Sequence, residues 1–136
     1  MWLNQQTLDA IRIMAALAAG ERTTRVADLA ALTGVTVMNV HKTVHALRGA
    51  GLLTTMRGRG GGVALARPAH DVSVAQVVRA LEPEDCPASF MATSDARAAA
   101  LEARLSRLMF DAHRGFFAKL ETMTLDLLAD GEPSSP

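Results

Sequence analysis

Leu8, Ile11, Ala15 and Ala18 recur at the three-and-four spacing of an amphipathic helix, and Gly20 stands where its C-terminus belongs. Gln5 to Ala19 is therefore predicted as a first helix with that stripe toward the core. Thr24 is placed to cap a second helix, which carries Val26, Leu29 and Ala30 on one face and stops at Gly34 after about two turns. A third starts at Thr36, a good N-cap, sets Val37, Val40, Val44 and Leu47 on one stripe, and ends at Gly49 or Gly51.

The period then changes from helical to alternating. Leu52 to Arg57 and Val63 to Ala66 read as two short strands around Gly58-Arg59-Gly60-Gly61-Gly62, a segment only a turn tolerates, so a β-hairpin is predicted. Ser73-Val74-Ala75-Gln76 has the form of a capping box; it opens a helix whose Val74, Val77, Val78 and Leu81 face inward until Pro83 stops it. From Ser94 onward Leu101, Leu105, Leu108, Ala112, Phe116, Leu120 and Met123 continue at helical spacing, enough for a helix of about 28 residues and roughly 40 Å. Gly115 is a candidate kink. The chain thus divides into an N-terminal unit over 1–82, a loop rich in proline and acids over 83–93, helices over 94–130, and a tail over 131–136 expected to be disordered.

At 136 residues, 49% of them hydrophobic and 21% charged, the chain supports one globular domain with a substantial core. It has no run of apolar residues long enough to span a membrane and no signal-peptide pattern, so a cytoplasmic location is expected. The formal net charge is zero, but its distribution is not even. Residues 1–67 hold eight Lys and Arg against three acids, a balance of +5, and the remainder carries −5. A basic working surface on the first half and an acidic body behind it would produce that asymmetry.

The second and third helices are separated by a glycine turn, with Ala30 four residues before Gly34. A small side chain permits a close crossing and glycine permits the positive φ of a sharp turn, the pattern of a helix-turn-helix. In that motif the second helix enters the major groove of DNA. With its apolar stripe buried, the third helix would present Thr36, Met38, Asn39, His41, Lys42 and His45 outward. Asn39 can pair with adenine, Lys42 with guanine or phosphate, and Met38 can touch a thymine methyl. His41 and His45, four apart, could also pair around a metal ion, but that is the face needed for DNA.

Arg57 and Arg59 lie in a loop with almost no other side chains, which lets the backbone approach a phosphate or the loop enter a minor groove, as the wing of a winged helix does. A nucleotide phosphate loop would instead lead into a helix and carry Lys-Ser/Thr after its last glycine, whereas Val63-Ala64-Leu65 reads as strand.

Thr7, Ala10 and Arg12, the spacing from Gly34 to Gly51-Leu52, the run Arg57-Gly58-Arg59-Gly60-Gly61-Gly62, Leu65-Ala66-Arg67-Pro68 and the late Thr124-Leu125 resemble the Rrf-two (Rrf2) family of bacterial winged-helix transcriptional regulators, of the IscR/NsrR type. The resemblance covers residues 1 to about 130. It implies a mainly α fold with a small β-hairpin: a winged helix-turn-helix domain followed by a long C-terminal dimerisation helix. It further implies a homodimer, a two-fold-related operator in double-stranded DNA, repression as the usual outcome, and Arg57 as the wing arginine directed at the minor groove. The MarR type arranges its wing and flanking helices differently.

The chain departs from that family where many members bind an iron–sulfur cluster through three cysteines and an acidic or histidine residue. Cys86 is its one cysteine, Ala103 falls at the last cysteine position, and Leu8 falls at the acidic position, with Asp9 displaced by one. No iron–sulfur cluster and no other cofactor is therefore expected. Cys86 is a candidate redox or ligand-sensing residue, although the negative charge of Glu84 and Asp85 beside it disfavours a thiolate. No nucleophile with a base, paired carboxylates or nucleotide fingerprint suggests an enzyme. The resulting expectation is a sequence-specific transcriptional repressor using Thr36, Met38, Asn39, His41, Lys42, Arg57 and Arg59; the alternative is a winged-helix protein-interaction module without DNA binding.

Overall fold

A computed structural model describes residues 3–20, 22–82 and 95–131. The loop and tail expectations at 83–93 and 132–136, and Cys86, lie outside the described residues. The elements are α1 (Gln5–Ala19), α2 (Val26–Thr33), α3 (Val37–Gly49), β1 (Leu53–Met56), β2 (Gly62–Leu65), a 3-10 turn (Ala69–Asp71), α4 (Val74–Leu81), α5 (Ala96–Glu121) and α6 (Leu125–Asp130). The fold is mostly helical with one antiparallel hairpin, in which Leu53 pairs with Leu65 and Met56 with Gly62.

Helix α1 is the central element, packed by α2, α3, α4, α6 and β2. Asn4 caps it, its side chain accepting from the Thr7 N–H. Its innermost stripe is Ala10, Ile13, Met14 and Leu17, all buried. The stripe expected from the sequence is rotated outward: Ile11, Ala15 and Ala18 are half-buried and Leu8 is exposed. A helix wrapped on several sides has apolar residues around much of its circumference, so three-and-four spacing fits more than one stripe and does not say which is innermost. Thr7 and Asp9 are buried as well, and both are partnered: the Thr7 hydroxyl donates to Glu82 at 2.7 Å, and Asp9 accepts from Gln5 at 2.9 Å.

Three further boundaries differ from the sequence reading. Thr24 does not cap α2. Its backbone exchanges hydrogen bonds with Val63 at 2.9 and 2.8 Å, and Arg25 takes the N-cap position without a side-chain bond. Val37 is exposed, because the first turn of α3 projects beyond the core that Val40, Val44 and Leu47 enter. The long helix has 26 residues, ends at Glu121, and is followed after a turn by the separate α6, where one continuous helix to Met123 had been expected.

The capping box before α4 forms as predicted: the Ser73 hydroxyl accepts from the Gln76 N–H, and the Gln76 side chain accepts from the Ser73 N–H. Replacing Ser73 by alanine leaves the Gln76 N–H with only its 3.1 Å bond to the Ser73 carbonyl and is expected to cost about 1 kcal/mol, read as a lower urea midpoint at unchanged slope. Beyond the cap, Val74, Ala75 and Val78 pack with Phe117 of α5, whose ring lies 4.6 Å from the Arg79 guanidinium and edge-on to Phe116. Phe117 thus anchors the long helix; Phe116, on the stripe read from the sequence, is half-buried beside it.

The larger core joins α1, α2, α3 and the hairpin through Leu29, Val40, Leu47, Leu53 and Val63. It also takes in Leu125 from α6. The N–H of Leu125 donates to the Val72 carbonyl at 2.9 Å, and Ser73 and Thr124 form an isolated bridge, so the C-terminal segment returns to the N-terminal elements.

Candidate nucleic-acid interface

The turn between α2 and α3 depends on Gly34, which takes φ +72° and donates its N–H to the Ala30 carbonyl at 2.9 Å. An L side chain would be strained in that conformation. The turn directs the chain into Thr36, whose hydroxyl accepts from the Asn39 N–H at 3.3 Å and starts α3. Buried Val40, Thr43, Val44 and Leu47 fix the rotation of α3 on the core. The opposite face presents Thr36, Met38, Asn39, His41, Lys42 and His45, all exposed, together with Val37.

Every residue expected on the reading face of α3 is therefore on its outer side. Thr36 differs from the others in that its hydroxyl oxygen already serves the helix cap. Val37 is the residue that sequence periodicity assigned to the wrong side. Its position at the first helical residue, where few neighbours exist to cover it, was the available signal.

The hairpin packs against α3 through β1 and against α1 through β2. Its tip is a tight turn in which the Gly61 N–H donates to the Gly58 carbonyl at 3.0 Å, leaving Arg59 at the corner and Arg57 at the end of the incoming strand. Both arginines are exposed. The run of glycines has a steric reason at its end: a Cβ on Gly62 would lie 2.6 Å from the Thr24 carbonyl oxygen, with φ at +157°. That contact is where the segment before α2 pairs with Val63, and the Thr23 hydroxyl adds a bond to the Gly60 carbonyl at 3.2 Å. Wing and helix-turn-helix are thereby joined by backbone at the wing's base. Arg25, exposed beside this junction, adds a cation that the sequence reading did not single out.

The structure brings the α3 residues onto one face and holds the two wing arginines on a hairpin fixed to the same scaffold. Cys86 cannot be placed, since it lies outside the described residues. Among the described residues, no group of three or more His, Cys, Asp and Glu side chains is arranged to hold a metal ion.

A family model, Rrf2, described as "Iron-dependent Transcriptional regulator", matches residues 3–131. Protein aau3 of Rhizobium meliloti (strain 1021) is 32% identical over 135 residues, covering 98% of this chain and 88% of that protein. Among solved structures, CymR of B. subtilis, the global cysteine regulator, superposes with a TM-score of 0.72 at 24% identity, covering 95% of this chain and 96% of that one. CymR of Staphylococcus aureus gives 0.73 at 22%, covering 96% and 100%. IscR of T. potens gives 0.71 at 23%, covering 100% and 93%. At these identities the structural matches establish the fold.

Proposed function

The chain belongs to the Rrf2 family of transcriptional regulators, and from that premise we propose that it is a homodimeric, sequence-specific DNA-binding repressor that occupies a palindromic operator. The observation that carries this reading is the joint presentation of α3 and the wing. A helix with an exposed polar and basic face and a hairpin bearing Arg57 and Arg59 are locked together through the Thr24–Val63 pairing. In the proposal α3 lies in the major groove, with Met38, Asn39, His41 and Lys42 at base edges and Thr36 at the entry, while Arg57 and Arg59 contact the flanking minor groove and phosphates.

Two copies are joined through α5. That helix exposes Leu101, Leu105, Leu108 and Phe110, more apolar surface than a helix facing solvent carries. A two-fold pair of recognition helices then matches a two-fold-related operator. No helix among the described residues is long and apolar enough to cross a membrane; the proposed site of action is cytoplasmic DNA.

The reading includes no iron–sulfur cluster. Such a cluster needs several thiolate or comparable donors, and this chain has a single cysteine. Ala103 and Leu8, at the positions where the resemblance would place ligands, offer no donor atom. Asp9 is buried with Gln5 and Arg12 as its partners. These residues do not fit the group, and the signal that the protein answers to is sought elsewhere.

The test is selection from a pool of random duplexes at near-physiological salt. Enrichment of a palindrome is expected. A protein that folds and dimerises but enriches no duplex would instead be an interaction module. On the selected operator, Arg57→Ala is expected to weaken binding about tenfold and to lower the salt dependence by about one unit per subunit, with the dimer intact. Unchanged affinity in a fluorescence-anisotropy titration would remove the wing from the interface.

A further inference from the structure

The first turn of α3 is chemically unusual for a surface meant to touch a polyanion. Met38 is 79% exposed and Val37 48%, side by side at the entrance of the helix. Neither enters either core cluster. The neighbouring Thr36 hydroxyl accepts the Asn39 N–H, so one of its two acceptor positions is committed to the helix cap. The first lysine or arginine of α3 is Lys42, and the helix contains no Asp or Glu along its whole length.

The donor and acceptor groups of the bases define what such a turn can read. In the major groove the one apolar feature at a base edge is the C5 methyl of thymine; cytosine presents an amino donor that calls for a carboxylate, and α3 has none. Asn39, exposed and next in sequence, has the paired donor and acceptor that match adenine. A β-branched side chain of fixed rotamer beside a long flexible thioether can cover two adjacent methyl groups without demanding a single geometry.

Resting on the DNA-binding reading above, we propose that the first turn of α3 is a methyl-reading surface: Val37 and Met38 select half-sites that place thymine C5 methyl groups beneath them, with Asn39 taking an adjacent adenine. The operator half-site is accordingly A·T at the pairs under this turn. The guanine contacts available to Lys42 and His41 fall farther along the helix.

Uracil substitution tests this directly, because it removes the methyl group and leaves base pairing unchanged. Each thymine of the selected operator is replaced singly, and in symmetric pairs, by uracil. Loss of one buried methyl is expected to lower affinity about fourfold in a single half-site and about fifteenfold in the symmetric pair, at one or two positions. Met38→Ala and Val37→Ala, both at exposed sites that leave the core untouched, are expected to abolish the uracil effect, each at its own position. Arg57→Ala, by contrast, should lower affinity for both duplexes and leave their ratio unchanged. Tight binding to a palindrome in which every uracil substitution is neutral within twofold, or in which G·C pairs lie under this turn, overturns the methyl-reading proposal and leaves the DNA-binding one intact. Failure to enrich any duplex overturns both.

Discussion

Arginine at both Leu105 and Leu108 is expected to convert the protein into a folded monomer and to lower operator affinity by at least about a hundredfold. The two leucines are 41% and 63% exposed in the single chain and belong to neither core cluster, so their replacement leaves the fold of the protomer unaffected. Within the dimer proposed above they face the partner. Four guanidinium groups brought into one apolar seam lose hydration without gaining partners, which exceeds what an interface of this size recovers. The effect on DNA follows from linkage. Two half-site contacts made by one dimer gain from effective concentration by factors of 10²–10⁴, and a monomer forgoes that gain. Sedimentation equilibrium with anisotropy titration on the same sample checks both parts. A variant that stays dimeric places the interface elsewhere on the protein.

Alanine at Gly62 is expected to have the second largest effect, although it adds a single methyl group. That methyl would lie 2.6 Å from the Thr24 carbonyl oxygen and 3.2 Å from the Arg25 nitrogen, and the residue would have to hold φ +157°. The obstacle is backbone on both sides, so no side-chain rotation relieves it. The chain must separate β2 from the segment before α2, sacrificing the hydrogen bonds between Thr24 and Val63. Backbone strain of about 1–3 kcal/mol combined with those losses predicts a clear fall in thermal midpoint. Operator affinity should fall with it, because the wing loses its fixed relation to α3. Gly58→Ala serves as the control. Its φ of +90° carries strain, but nothing lies within 4 Å of the added atom, so the pairing at the wing's base survives. If Gly62→Ala proved no more damaging than Gly58→Ala, the junction would not be what holds the wing.

Features governed by local chemistry could be read from the sequence. Gly34 and Thr36 mark a helix end and a helix start through the groups they supply to the adjacent backbone, and both act as expected. Ser73 and Gln76 form their capping box for the same reason. The hairpin was legible because a glycine run between two apolar segments has few other conformations available. Errors arose where a distant part of the chain decides the outcome. Thr24 is a good cap by composition, but Val63 claims its backbone from across the fold. The inward face of α1 depends on which of its five neighbours lies deepest, and amphipathic spacing alone carries no such information. On the candidate interface, the exposed polar residues of α3 followed from subtraction of the apolar stripe. Val37 was subtracted wrongly because periodicity does not register that a helix's first turn can project past its support.

Leu125 bears on how the protein is made. It is fully buried in the core that contains Leu29, Val40 and Val63, and its N–H closes on Val72. On the ribosome, where N-terminal parts emerge first, α1 to α4 are synthesised well before the residue that completes their packing. The whole of α5 is translated in the interval. A nascent chain that ends before α6 therefore lacks a buried residue of the core on which α3 and the hairpin rest. If α3 and α5 act as proposed, the face offered to DNA and the helix that joins two copies are completed together, when α6 arrives.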